Sequence, residues 1–321
     1  MDWRIKAGLQ KILSLTRVGD KINHFGSRLM DPRYLEHKLD YHVAESLALM
    51  ARLEAIGYRM ADNDIFFELR TGYSIMQSLA IILLGVSRVV TVDISRDIKF
   101  SDCLKYIELL SGSRVSRLAE HSVYSETEIR SILGRLKASS DLDDFLHTAN
   151  IVYVAPYHLA DLERFSGRMR VVYSQVVLEH IPENRVREIM AATKCLLLPG
   201  GYQSHIVNLA DHFRNPGFFQ DRKITDVNFL RYSDRYWNFW CGNDIAYVNR
   251  LRFPYYMQLF RDLGFSILHV DKQKEQNRMN ELLSYEEIHP DVQSKYNKSE
   301  LMSTLWVQRF HIICTRQDEL S

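Results

Sequence analysis

Apolar positions recur at helical spacing through the first sixty residues, then in short unbroken runs separated by helical stretches. From Trp3 to Leu15, Ile5, Leu9, Ile12 and Leu13 fall on one face, with Arg4, Lys6 and Lys11 on the others, which predicts a basic amphipathic helix. A second helix is predicted from Tyr34 to Ile56, with Val43, Leu47, Met50 and Leu53 at helical spacing before Gly57. Beyond it the runs at 65–69, 89–92, 151–155, 171–176 and 202–207 have the composition of buried strands. Helical patterns at 75–84, 98–110, 159–165 and 183–196 alternate with them. The polar stretch 111–148 has room for a helix at 125–136. A last pair of strands, 265–269 and 305–315, is joined by the polar connection 272–303. Alternating short apolar strands and helices imply an α/β protein whose parallel sheet is covered on both faces.

Composition narrows the function. The chain has 321 residues, 46% of them hydrophobic, enough for one large core. Its 41 basic and 40 acidic residues leave a net charge of +1, so bulk charge does not indicate a nucleic-acid partner. Cys103, Cys195, Cys241 and Cys314 are widely spaced, and no signal peptide or run of about 20 apolar residues is present, so a cytoplasmic setting is expected. The basic first helix suits docking on its own domain or on a partner subunit, or a peripheral contact with the inner membrane surface. The oligomeric state is left open.

Two strand-to-loop motifs carry the chemistry. One is Phe66-Phe67-Glu68-Leu69-Arg70-Thr71-Gly72-Tyr73-Ser74, closed by Val89-Val90-Thr91-Val92-Asp93. The other is Val171-Val172-Tyr173-Ser174-Gln175-Val176-Val177-Leu178-Glu179-His180-Ile181-Pro182, followed by Leu198-Pro199-Gly200-Gly201. In order and spacing, from Asp64 to Val270, they resemble the class I S-adenosylmethionine-dependent methyltransferases, and among those the methyltransferase-domain proteins of bacterial surface-polysaccharide and glycolipid gene clusters. The resemblance implies a Rossmann-like, doubly wound sheet of seven strands, mostly parallel with the last antiparallel. It also implies an N-terminal helical extension (1–60) before a methyltransferase domain (61–321) and a lid insertion at 213–256.

With that resemblance come expected roles. Glu68, Arg70, Thr71, Gly72, Tyr73, Asp93, Ile94, Tyr157, Ser174 and Gln175 form the implied S-adenosylmethionine site. Asp93 would accept the ribose hydroxyls, by the physics of a strand-ending acid in nucleotide folds; alone, such an aspartate is commonly a helix N-cap. Tyr157 would stack on the adenine or pack as a loop aromatic. Arg70 stands where the family has its first loop glycine. A positive φ there would strain it; otherwise its guanidinium would bind a carboxylate or phosphate, point to solvent, or mark a lost cofactor site.

His180 has the unperturbed pKa of a general base for an acceptor hydroxyl, or else it caps its loop. His205, Asp211 and His212 are a further candidate catalytic set in which a histidine meets the acceptor and Asp211 orients it, or the Asp-His pair only fixes the turn. Their spacing lacks a zinc signature, and no metal is expected. The segment 213–256 is dense in aromatics, among them Phe218, Phe219, Trp237 and Trp240, interleaved with Arg222, Arg231 and Arg235. Rings and arginines of this kind suit a sugar or phosphate, so Glu179, Arg235, Trp237, Trp240 and Arg250 are expected to bind the acceptor, and Arg252 is a further candidate for the cleft. The acceptor is expected to be a small molecule or glycan, through a sugar hydroxyl; the alternative is a methyltransferase-like scaffold without catalysis.

Overall fold

The structure, a computed structural model, describes residues 2–16, 33–214, 220–243, 245–274 and 282–316. Its sheet contains β1 (Ile65–Leu69), β2 (Arg88–Val92), β3 (Ile151–Val154), β4 (Met169–Gln175), β5 (Leu197–Asn208), β6 (Phe265–Gln273) and β7 (Arg309–Arg316). The strand order is β3-β2-β1-β4-β5-β7-β6, with the last strands antiparallel. This is the Rossmann-like α/β topology expected from the motifs. Helices α1 (Trp3–Ser14) and α2 (Tyr34–Ala55) precede the sheet. They are followed by α3 (Met76–Leu83), α4 (Phe100–Leu109), α5 (Ser113–Ala119), α6 (Glu126–Lys137), α7 (Leu142–Thr148), α8 (Glu183–Leu196), α9 (Asp234–Cys241), α10 (Phe253–Asp262), α11 (Pro290–Gln293) and α12 (Lys298–Thr304).

The described residues group into two compact units. One comprises Arg33–Ser174, Ala191–Ser204 and Ile313–Ser321; the other comprises Met1–Pro32, Gln175–Met190 and His205–Ile312. In the first, β1 pairs in parallel with β2 and β4, and β2 with β3, so four strands end on the same edge. Phe66, Phe67, Val89, Val90, Val171 and Val172 are buried, as parallel strands covered on both faces require. α2 contributes Leu39, Val43, Met50 and Leu53 to that core at helical spacing. The stretch 111–148 holds three helices where one was expected. α5 and α7 are each 7 residues long, too short to show a full apolar period, and α7 is marked by its cap, where the Asp141 side chain accepts from the Asp144 N–H. Connection 272–303 similarly contains α11 and α12, and β7 begins at Arg309 because Leu305 closes α12.

The second unit has its own core, built around Trp3. Its ring lies 5.4 Å from Phe213, 5.3 Å from Tyr232 and 5.5 Å from Trp237, centroid to centroid. Its backbone N–H donates to Asp221 Oδ2 at 2.9 Å. α1 therefore docks through Trp3 and Ala7, whereas Ile5, Leu9 and Ile12 of the expected apolar face are exposed. Among the described residues no helix is long and apolar enough to cross a membrane. Trp3→Ala should destabilise this unit by about 3–5 kcal/mol in urea denaturation; a change below about 1 kcal/mol would show that α1 is not part of the core.

Candidate functional site

The loops leaving β1, β2 and β3 are stitched together at Asp93. The Gly72 N–H donates to Asp93 Oδ2 at 2.6 Å and the Ile94 N–H to Oδ1 at 2.7 Å. The Asp93 N–H donates to the Val154 carbonyl and its own carbonyl accepts from the Tyr157 N–H, both at 3.1 Å. Asp93 is buried, while the neighbouring Ile94 side chain is 69% exposed, an apolar surface held beside a carboxylate. Arg70 and Gly72 both adopt left-handed backbone, at φ 71° and 65°. The conformation that a glycine would adopt freely is thus imposed on an arginine whose side chain is exposed. Tyr73 and Tyr157 are half-buried at this edge.

Two expected cofactor contacts lie deeper. Glu68 is buried beneath the loop, where Oε2 accepts from the hydroxyls of Ser78 and Thr91. Burial pushes its carboxyl up to about 7 from an ordinary 4.5, opposed by those two hydrogen bonds. Thr71 turns its hydroxyl inward against that of Thr91, so only its backbone faces the loop surface. Glu68 and Thr71 brace the loop from below, a correction to their reading as ligand contacts. Ser174 is likewise buried, at the end of β4.

In the second unit, the chain leaving β4 makes a strained turn. Val176 has φ 54°, rare for a β-branched residue, and its N–H donates to the Ile206 carbonyl at 2.9 Å. The 3-10 turn Leu178–His180 follows. Asn249 pins it: its Nδ2 donates to the carbonyls of Leu178 at 2.7 Å and Ile181 at 2.9 Å, and its N–H to the Glu179 carbonyl at 2.7 Å. Glu179 is buried, with Oε1 accepting from the Asn208 N–H at 3.1 Å. His180 is half-buried, its Nδ1 3.0 Å from the Tyr247 carbonyl, which makes Nδ1 the donor and leaves Nε2 as the basic nitrogen. The His212 ring lies 5.0 Å from that of His180, and Asn208 Nδ2 is 3.3 Å from His212 Nε2. Burial, with the nearby charges of His180 and Lys6, drops His212 to about 3, so it is neutral near pH 7.

This grouping replaces the expected one. His205 is fully buried and stacked 5.7 Å from the Phe260 ring, and burial lowers it to about 3; closed off in this way, it does not meet an acceptor. Asp211 accepts from the Phe213 N–H at 2.9 Å and from Asn228 Nδ2 at 3.5 Å, so it fixes the turn and orients neither histidine. His212 joins Glu179 and His180 across more than thirty positions of chain, a contact without local periodicity.

The expected aromatic lid is largely a second core. Trp237 is 3% exposed, donating from Nε1 to the Val248 carbonyl at 3.3 Å, and Trp240 packs against the same cluster. Phe218 and Phe219 lie outside the described residues. Arg250 is buried and donates to the carbonyls of Phe229 and Tyr232 and to Asp234. Arg252, 1% exposed, donates to the carbonyls of Leu209, Leu305 and Val307. Both arginines satisfy backbone carbonyls, and Arg235 is exposed on α9. A cleft of about 500 Å³ opens here, lined by Arg250, Trp237, Tyr247, Glu183, Asp234 and Lys295. Lys295 bridges Glu183 at 2.7 Å and Asp234 at 3.6 Å. The sequence reading missed Lys295, which stands far from every motif.

No family model matches the chain, and no curated protein matches it. Among solved structures, a Haloferax volcanii methyltransferase in complex with the Trm112 activator aligns over 92% of this chain and 98% of its own, at 13% identity and TM-score 0.46. A SAM-dependent methyltransferase from Methanosarcina mazei aligns over 81% and 95%, at 13% and 0.42. Phosphoethanolamine N-methyltransferase 2 of Haemonchus contortus, in complex with S-adenosylmethionine, aligns over 86% of this chain and 53% of its own, at 13% and 0.41. Likenesses this distant leave the chemistry to be argued from the residues themselves.

Arg70→Gly should raise stability by about 1 kcal/mol, as the left-handed strain is relieved; a loss of stability in urea denaturation would show that the guanidinium holds the loop. The buried acids set a pH dependence. Glu68, raised to about 7 from 4.5, and Asp211, raised to about 7 from 3.8, both favour the protonated form in the folded chain. Their contribution to stability is full below the unfolded values and is lost as pH rises towards 7. Urea midpoints should therefore fall between about pH 4 and about pH 7, and Glu68→Gln should flatten that fall; an unchanged slope would contradict the assignment.

Proposed function

We propose that this protein is an S-adenosylmethionine-dependent methyltransferase acting on a hydroxyl of a small, polyhydroxylated or glycan-linked acceptor. The observation that carries this reading is the junction at Asp93. Three loops from neighbouring parallel strands converge on one residue at the edge where open α/β sheets bind ligands, two through its carboxylate and one through its main-chain carbonyl. Oδ2 accepts one N–H and keeps a lone pair for a ribose hydroxyl, and the exposed Ile94 offers a face to adenine. The Gly72–Tyr73 backbone would lie along the amino-acid end of the cofactor.

Chemically, the acceptor oxygen attacks the sulfonium methyl in line. The new C–O bond forms as the S–CH3 bond breaks, its electron pair staying on sulfur to leave S-adenosylhomocysteine, and the hydroxyl proton passes to a base. The Glu179–His180–His212 cluster, with His180 Nδ1 donating to the Tyr247 carbonyl, is suited to handle that proton. The cleft lined by Trp237 and by Glu183, Asp234 and Lys295 combines an apolar face with charged hydrogen-bonding groups, which favours a sugar-like acceptor. The motif resemblance to surface-polysaccharide and glycolipid proteins supports the same class. Against the scaffold alternative, Arg70 keeps the loop in the glycine-like conformation while its side chain stays exposed.

Calorimetric titration with S-adenosylmethionine and S-adenosylhomocysteine tests the reading. Micromolar binding is expected, weakened by about tenfold or more in Asp93→Ala through loss of charge-assisted hydrogen bonds. Unchanged affinity in that variant would remove the ribose assignment, and no binding by the wild type would leave the scaffold reading.

A further inference from the structure

The Glu179–His180–His212 cluster has the donor set of a divalent-cation site. Among the described residues it is the group of three in which one ligand atom from each side chain lies within 4.8 Å of the other two. Donors around one tetrahedral or octahedral ion stand about 3–4 Å apart, given metal–ligand bonds near 2 Å, so a small side-chain adjustment closes the set. No metal was expected from sequence because the spacing of His205, Asp211 and His212 lacks a zinc signature; in the structure the first and second are committed elsewhere.

The surroundings hold Glu179 and His180 in place. The Tyr247 carbonyl accepts from His180 Nδ1, the kind of bond that commonly sets the tautomer of a metal-ligating histidine. The Asn208 N–H holds Glu179 Oε1, while Asn208 Nδ2 donates to His212 Nε2, a bond that a metal ion taken at that nitrogen displaces. The turn that presents Glu179 and His180 is held by three hydrogen bonds from Asn249 and begins at the strained Val176. Such reinforcement gives the preorganisation that a metal site needs.

We infer that Glu179, His180 and His212 bind one first-row divalent transition-metal ion. Two imidazoles and one carboxylate match zinc, cobalt, manganese or ferrous iron, and not the all-oxygen preference of calcium or magnesium. Three protein ligands leave at least one coordination position open. On the methyl-transfer reading, on which this role of the ion rests, the ion replaces the cluster's imidazoles as the means of activation: the open position takes the acceptor oxygen, the cation lowers the pKa of its hydroxyl so that the proton leaves to water, and the ion holds the resulting oxyanion. The ion-binding site itself stands on the geometry alone.

The test uses the full-length, untagged protein, stripped with a chelator and desalted. Cobalt(II) is titrated while visible d–d absorption is followed, and zinc(II) is titrated by calorimetry. One ion per chain is expected, with affinity lowered about 100-fold or more in His180→Ala and in His212→Gln, since loss of a ligand exceeds the 10–100-fold typical of losing a supporting hydrogen bond. Circular dichroism melts identify any variant that has unfolded, and the folded one of the pair then decides. No saturable binding by wild type, or binding that survives in a folded variant, overturns the proposal. S-adenosylhomocysteine affinity measured on the same stripped protein separates the two readings: cofactor binding without metal binding removes only the cation site, and the converse removes only the cofactor site.

Discussion

The hydrogen bond from the Gly72 N–H to the Asp93 carboxylate is the constraint on which the cofactor edge depends. It fixes the loop after β1 to the end of β2, and the same residue's backbone fixes β2 to the loop after β3. Beneath it Glu68, Ser78, Thr91 and Thr71 form a buried polar network that carries its own hydrogen bonds. A polar network inside a hydrophobic core is costly unless satisfied, and here it is closed by neighbours on adjacent strands and α3. That closure accounts for Arg70, whose left-handed backbone costs about a kilocalorie or two and persists because the loop on either side is fixed.

The second unit solves a different problem, the support of irregular chain. Asn249, Arg250 and Arg252 between them donate to carbonyls of Leu178, Ile181, Phe229, Tyr232, Leu209, Leu305 and Val307. Buried carbonyls outside regular structure need such donors, and a guanidinium with five N–H groups supplies several at once. The Asn-Arg-Leu-Arg motif is therefore a set of clamps. It holds the Glu179–His180 turn and the walls of the aromatic core in place, so the cation cluster and the polar cleft both inherit their geometry from it.

Much of the fold was legible because its signals are local. Buried parallel strands read as short β-branched and aromatic runs, and Ile65–Leu69 and Glu183–Leu196 are found with the boundaries the pattern predicts. The junction of the three loops was legible for the same reason, since Gly72, Asp93 and Ile94 sit at strand ends. What escaped the pattern depends on distant partners. Trp237 and Arg250 have the composition of ligand groups, but most of each is committed to packing against Trp3 or to backbone carbonyls, and only the remainder lines the cleft. His205 alternates inward on β5 and ends against Phe260, whereas His212, seven residues on, reaches His180. Nothing in the spacing of either histidine distinguishes those fates.

The most direct test of the central claim is diffraction from crystals grown with S-adenosylhomocysteine. The account predicts the ribose hydroxyls on the Asp93 carboxylate, the adenine against Ile94 and Tyr157, and the amino-acid end along Gly72 and Tyr73. Ligand bound away from this edge, or an Asp93 carboxylate with no contact to the ribose, would contradict it.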